Sequence, residues 1–150
     1  MPIPPFDDNG LLPQGIFDCS LHEVAERFCW NGHRSTLWLG LESFLAHHVM
    51  SLPTKPVLWI DGSFVRNKEV PSDIDLVVDV TGAADDVLRS VIGWHLDHDE
   101  IKKTYHVDMW PRHPRIPRDL AAFFQYAGDK CAAELHIDPK WPKGIVRVQP

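Results

Sequence analysis

Two short apolar runs constrain this chain most. Val57-Leu58-Trp59-Ile60 stops at Asp61-Gly62, and Ile74 to Val80 follows Asp73. The first is compact and breaks into a tight turn, which reads as a buried strand. In the second, Ile74, Leu76 and Val78 alternate with Asp73, Asp75, Val77 and Asp79. Period-two alternation sends the two sets to opposite faces of a strand. A strand pair joined by a polar loop is therefore expected mid-chain.

The flanking segments supply helices and further strands. Ser20-Leu21-His22-Glu23 has the form of a capping box and predicts a short helix to Phe28. Asn31-Gly32 reads as a turn. Leu37, Leu41, Leu45 and Val49 recur every four positions and predict a longer helix over 34–51, ended by Pro53 and Pro56. Ala83 to His95 reads as a helix with Asp85 and Asp86 near its positive end. Thr104 to Trp110 is strand-like, Arg118 to Ala127 helix-like, and Gly144 to Val148 a last strand. Residues 1–16, rich in Pro, Gly and Asp, read as an extended N-terminal arm. This order is α+β.

At 150 residues the chain fits one domain, and 44% hydrophobic residues suffice for a core. No apolar run nears the roughly 20 residues that span a bilayer. The N-terminus lacks the basic and apolar regions of a secretory signal. Three widely spaced cysteines, Cys19, Cys29 and Cys131, predict a reducing, cytoplasmic setting without disulfides. The net charge of −6 is uneven: residues 1–100 hold six Lys/Arg against sixteen Asp/Glu, and residues 101–150 hold nine against five. Such a balance argues against an extended duplex nucleic acid as partner. A nucleotide or an RNA end at the basic C-terminal third and a merely uneven solvated surface explain it equally well.

The chemistry concentrates between the two strands. Asp73 and Asp75 lie two apart, so their carboxylates project from one face about 7 Å apart. Strand interiors disfavour Asp, and two like charges repel unless something positive lies between them. A hard cation such as Mg²⁺ takes carboxylate oxygens together with substrate phosphates. Gly62-Ser63 brings backbone N–H groups and a hydroxyl near a phosphate, because glycine lets the backbone bend and approach. A phosphate cradle followed by same-face carboxylates is equipment for phosphoryl or nucleotidyl transfer.

Gly62-Ser63, a nine-residue gap and Asp73-Ile74-Asp75-Leu76 resemble the signature of the DNA polymerase β-type nucleotidyltransferase superfamily in its minimal-domain form. Trp59 to Val80 is similar to a group of small bacterial and phage-encoded members. So are the flanks Leu12-Pro13-Gln14-Gly15 and Lys143-Gly144-Ile145-Val146-Arg147, and the looser likeness covers most of the chain. The resemblance implies a nucleotidyltransferase-like mixed β-sheet with helices packed mainly on one face. It implies two Mg²⁺ ions, with Mn²⁺ as substitute, on Asp73, Asp75 and a third carboxylate of a later strand. Asp108 is the candidate, because Asp97, Asp99 and Glu100 fall in a polar turn. The third carboxylate would complete one metal site and help activate the attacking hydroxyl. The donor would be an NTP, with ATP expected, and the acceptor a hydroxyl of a protein, a tRNA end or a small molecule. Related domains work in toxin–antitoxin or phage-defence settings, so a toxin or antitoxin partner, or a homo-oligomer, belongs to the expectation. The alternative is a nucleotide-binding regulatory or antitoxin module without turnover.

Asp61 stands where the superfamily has an apolar residue; it faces solvent, holds the turn or adds charge near the metals. Arg66 and Lys68 lie in the loop between the motif halves, in reach of a triphosphate or pyrophosphate; a solvated loop explains them equally. Arg34, Lys143 and Arg147 read first as surface residues and second as phosphate or acceptor contacts. His95-x-x-His98 and His47-His48 join no Cys-x-x-Cys and no H-E-x-x-H, so zinc is not expected. Trp38, Trp59, Trp94, Trp110 and Trp141 read as core and interface filler rather than as a base-stacking platform.

Overall fold

The structure is a computed structural model describing residues 3–150, so Met1 and Pro2 of the expected arm lie outside the described residues. Five strands form one sheet: β1 (Ile16–Cys19), β2 (Val57–Asp61), β3 (Ile74–Asp79), β4 (Val107–Arg112) and β5 (Ile145–Val148). Their order across the sheet is β1-β5-β2-β3-β4. β2 is antiparallel to β3 and β5, while β1–β5 and β3–β4 are parallel. The fold is α+β around a mixed sheet.

The helices are α1 (Leu21–Phe28), α2 (Gly32–His47), α3 (Asp85–Leu96), α4 (His98–Tyr105), α5 (Leu120–Phe123) and α6 (Gly128–Leu135). The capping box that opens α1 is complete. Glu23 N–H donates to Ser20 Oγ at 3.1 Å, and Ser20 N–H donates to Glu23 Oε2 at 2.8 Å. Asn31-Gly32 is no free turn: Asn31 Oδ1 accepts the Arg34 N–H at 2.8 Å and caps α2, which starts two residues earlier than expected. The helix ends at His47, and Val49–Ser51 tightens into a 3-10 turn.

Strand alternation sorts two cores. Ile74, Leu76 and Val78 of β3 join Leu58, Ile60, Met109, Val146 and Val148 beneath helices α1 to α4. Each such aliphatic side chain contributes about 1.5–3 kcal/mol on burial. Val77, Trp59 and Ile145 face the other way, where Leu120 and Ala121 of α5 cover them. Helices therefore lie mainly on one face. Asp75 shares parity with Val77, so its carboxylate belongs to the thinly covered face.

Four expectations need correction. Asp97 to Glu100 is not a polar turn: Asp99 and Glu100 open α4, where a helix N-terminus favours negative charge. Thr104 and Tyr105 end that helix, and β4 begins at Val107 after His106 turns the chain at φ 56°. Of the helix expected over 118–127 only the four residues of α5 form, and α6 begins after that range at Gly128, whose φ is +78°. Of the segment read as an extended arm over 1–16, the described residues are folded in: Ile3, Leu11 and Leu12 are buried, and Ile16 already belongs to β1. Asp7 shapes that segment, its Oδ1 accepting the N–H groups of Asn9 and Leu11. No described helix is long and apolar enough to cross a membrane.

Candidate active site

Sheet register lines up the carboxylates. Asp61, the last residue of β2, pairs with Asp75 of β3, and Asp75 pairs with Asp108 of β4. The three occupy neighbouring strands, which lie about 4.8 Å apart. Asp73 immediately precedes β3 and shares the parity of Asp75. After Asp61 the chain turns tightly through Gly62 to Val65. Gly62 has φ +75°, and a Cβ there would collide with the Asp75 carboxylate. Glycine is required on both counts.

These residues open on a cleft of about 320 Å³. Gly62, Ser63, Arg66, Lys68, Asp73, Asp75 and Asp108 all line it. Every site residue expected from the sequence thus comes to one place. Phe123, Phe124 and the start of α6 line it as well, and nothing local in the sequence marks them.

The cleft floor is short of positive charge. Asp61 is fully buried; its Oδ1 accepts the Lys143 ammonium at 2.5 Å, and its Oδ2 has no partner. Burial pushes the Asp61 carboxyl up to about 6, against the pull of Lys143 and the Gly62 N–H. Asp75 is driven well above the usual carboxylate range by burial and by the charges of Asp73, Asp61 and Asp108, with Lys143 opposing. Burial and Asp73 also raise Asp108, although Lys102 and His98 pull it down. Lys102 Nζ stands 3.2 Å from Asp73 Oδ2 and 3.7 Å from Asp108 Oδ2. Burial works against its ammonium, but Asp108, Asp73 and Asp75 outweigh it and strengthen its hold on the proton.

Among the described residues, no three His, Cys, Asp or Glu side chains converge as a ready-made metal cage. The donor set nevertheless suits a hard divalent cation. It is all carboxylate oxygen, Asp75 stands in register between Asp61 and Asp108, and a cationic group already sits between Asp73 and Asp108. His95 and His98 stack on each other and beside Trp110.

Several side chains lie elsewhere than first read. Arg34 is no surface residue. It is fully buried, and its guanidinium donates to the carbonyls of Phe28, Phe64, Arg66 and Lys68. It pegs the motif loop from below and leaves phosphate to others. Its spacing before Leu37 and Leu41 places it on the buried stripe of α2, a signal present in the sequence. Lys143 is buried too, as the counter-ion that Asp61 needs. Arg66 and Lys68 are not free loop cations: both pair with Glu134 of α6, Lys68 at 3.1 Å. Arg147 lies outside the cleft, held by Asp18 between β5 and β1. Lys102 was not singled out from the sequence at all.

A family model described as "Family of unknown function (DUF6932)" matches residues 4–149. No curated protein and no solved structure matches the chain.

Proposed function

The chain belongs to this family of unknown function, and we propose that it is a metal-dependent nucleotidyltransferase. It moves a nucleoside monophosphate from an NTP, with ATP expected, to a hydroxyl of a protein, an RNA end or a small molecule. One observation carries the reading: Asp75 stands between Asp61 and Asp108 on adjacent strands, against a glycine turn, in the cleft that Gly62, Ser63, Asp73 and Asp108 also line.

The residues divide the work. Gly62 keeps the wall beside Asp75 free of a side chain, so a phosphate approaches the carboxylates closely. Ser63 offers a hydroxyl donor at the same turn. Asp73, Asp75 and Asp108 would hold the metal, which when bound would supply charge to neutralise the phosphates and to acidify the attacking hydroxyl. Asp108 takes the hydroxyl proton as the acceptor oxygen bonds to the α-phosphorus. The bond from the α-phosphorus to the bridging oxygen of the β-phosphate breaks, and pyrophosphate leaves. Arg66 and Lys68, steadied by Glu134, face the cleft where the leaving phosphates are charged. Three free cysteines fit a cytoplasmic setting, and a toxin–antitoxin or phage-defence role fits the resemblance.

The test uses NTPs labelled at either the α- or the γ-phosphate, with Mg²⁺ or Mn²⁺ and cell extract as acceptor source. Transfer of the α-label with release of the γ-label as pyrophosphate supports the reading. Tight nucleotide binding without transfer supports a regulatory module instead.

A further inference from the structure

The resemblance implies two metal ions over Asp73, Asp75 and Asp108. We propose instead that the ammonium of Lys102 permanently occupies one of the two cation positions, so that the site takes a single divalent cation. The inference rests on the nucleotidyltransferase reading and deepens it.

Geometry supplies the first argument. Lys102 Nζ bridges the carboxylates of Asp73, just before β3, and Asp108, in β4. A lysine ammonium is a compact point charge with three donors, suited to standing between two carboxylates.

The scaffold holds that bridge in place. Ile101, beside Lys102, is buried and anchors α4 in the main core. His106 caps the helix, its N–H donating to the Lys102 carbonyl at 2.8 Å. The His106 carbonyl in turn accepts the Ile74 N–H at 3.0 Å. One corner of backbone therefore fixes Lys102, Asp73 just before Ile74, and Asp108 just after Val107. On its far side, α4 is seated against α2: Gly40 meets the Tyr105 carbonyl so closely that a Cβ there would collide with it.

Charge supplies the second argument. Four carboxylates, Asp61, Asp73, Asp75 and Asp108, meet two ammonium groups, Lys102 and Lys143. Fully ionised, the cluster carries two uncompensated negative charges, and one divalent cation neutralises them. A second would leave the cluster positive, with the ion pressed against Lys102. The two ammonium groups pair with Asp73, Asp108 and Asp61, and Asp75, in register between Asp61 and Asp108, is where the single ion belongs.

The experiment titrates the full chain with Mn²⁺ alone and counts bound ions by the paramagnetic resonance of free Mn²⁺. The wild type should bind one ion per chain. Lys102→Met, which keeps most of the half-exposed stem and removes the charge, should bind two. A thermal melt confirms that the variant is folded. Two ions on the wild type, or one on both proteins, would overturn the role of Lys102 and leave the nucleotidyltransferase reading standing. No ion on either protein would overturn both. A lysine that served only as a phosphate ligand would change nucleotide affinity and leave the ion count unchanged.

Discussion

Gly62 and Asp75 fit together only while residue 62 lacks a side chain: a Cβ there would fall inside the Asp75 carboxylate, and the backbone already sits at φ +75°. An L-residue in that region is strained by about 1–2 kcal/mol before any collision. Gly62→Ala should therefore lower the melting temperature modestly and weaken Mn²⁺ binding at least tenfold, because the carboxylate must swing away. Calorimetry and a Mn²⁺ titration on one preparation check both effects. A variant that binds Mn²⁺ like the wild type would show that Asp75 is not a ligand.

The Lys143–Asp61 pair makes a sharper stability prediction. Both side chains are buried, and removing one charge strands the other. Lys143→Met should cost about 3–5 kcal/mol in urea unfolding. The double variant Asp61→Leu/Lys143→Met should recover most of that loss, since no buried charge remains. A double variant as unstable as the single one would contradict the account.

The other end of β3 carries a pH prediction. Asp79 accepts from Arg112 at 2.7 Å, the Thr81 N–H at 3.0 Å and Trp59 Nε1 at 3.2 Å. Burial alone would raise its carboxyl, but hydrogen bonds from Thr81, Arg112 and Trp59 outweigh burial and hold it below the ordinary 3.8. A depressed folded-state pKa adds stability above the unfolded value, and that stability is lost as pH falls through the folded one. Asp79→Asn should therefore be less stable than the wild type by about 1.5–3 kcal/mol at pH 7. The gap should close below pH 3.8. Urea unfolding at a series of pH values tests it; a gap that is constant with pH would rule out the ionised carboxylate as its source.

What the sequence revealed of this molecule follows the range of the forces involved. β2, β3 and the capping box of α1 were legible because alternation and capping are local. Asp108 was singled out through the resemblance, as the carboxylate of a later strand, and its strand runs parallel to β3 with Asp108 in register with Asp75. β1 was missed: it is a four-residue edge strand whose partner among the described residues, β5, comes from the far end of the chain. The counter-ions were missed for the same reason. Lys143 lies 82 residues from Asp61, and Glu134 lies 68 from Arg66. Nothing local marks them, although a buried Asp at the end of an apolar strand does demand a cation from somewhere. α4 was misread because acidic residues that suit a turn suit a helix N-terminus equally well.

The most direct test of the central claim compares wild type with Asp75→Asn in Mg²⁺-dependent transfer of α-labelled ATP to acceptors in cell extract. The account predicts label on an acceptor with the wild type, none without divalent metal, and none with the Asn variant while it remains folded. An Asp75→Asn protein that transfers label as fast as the wild type would contradict the mechanism.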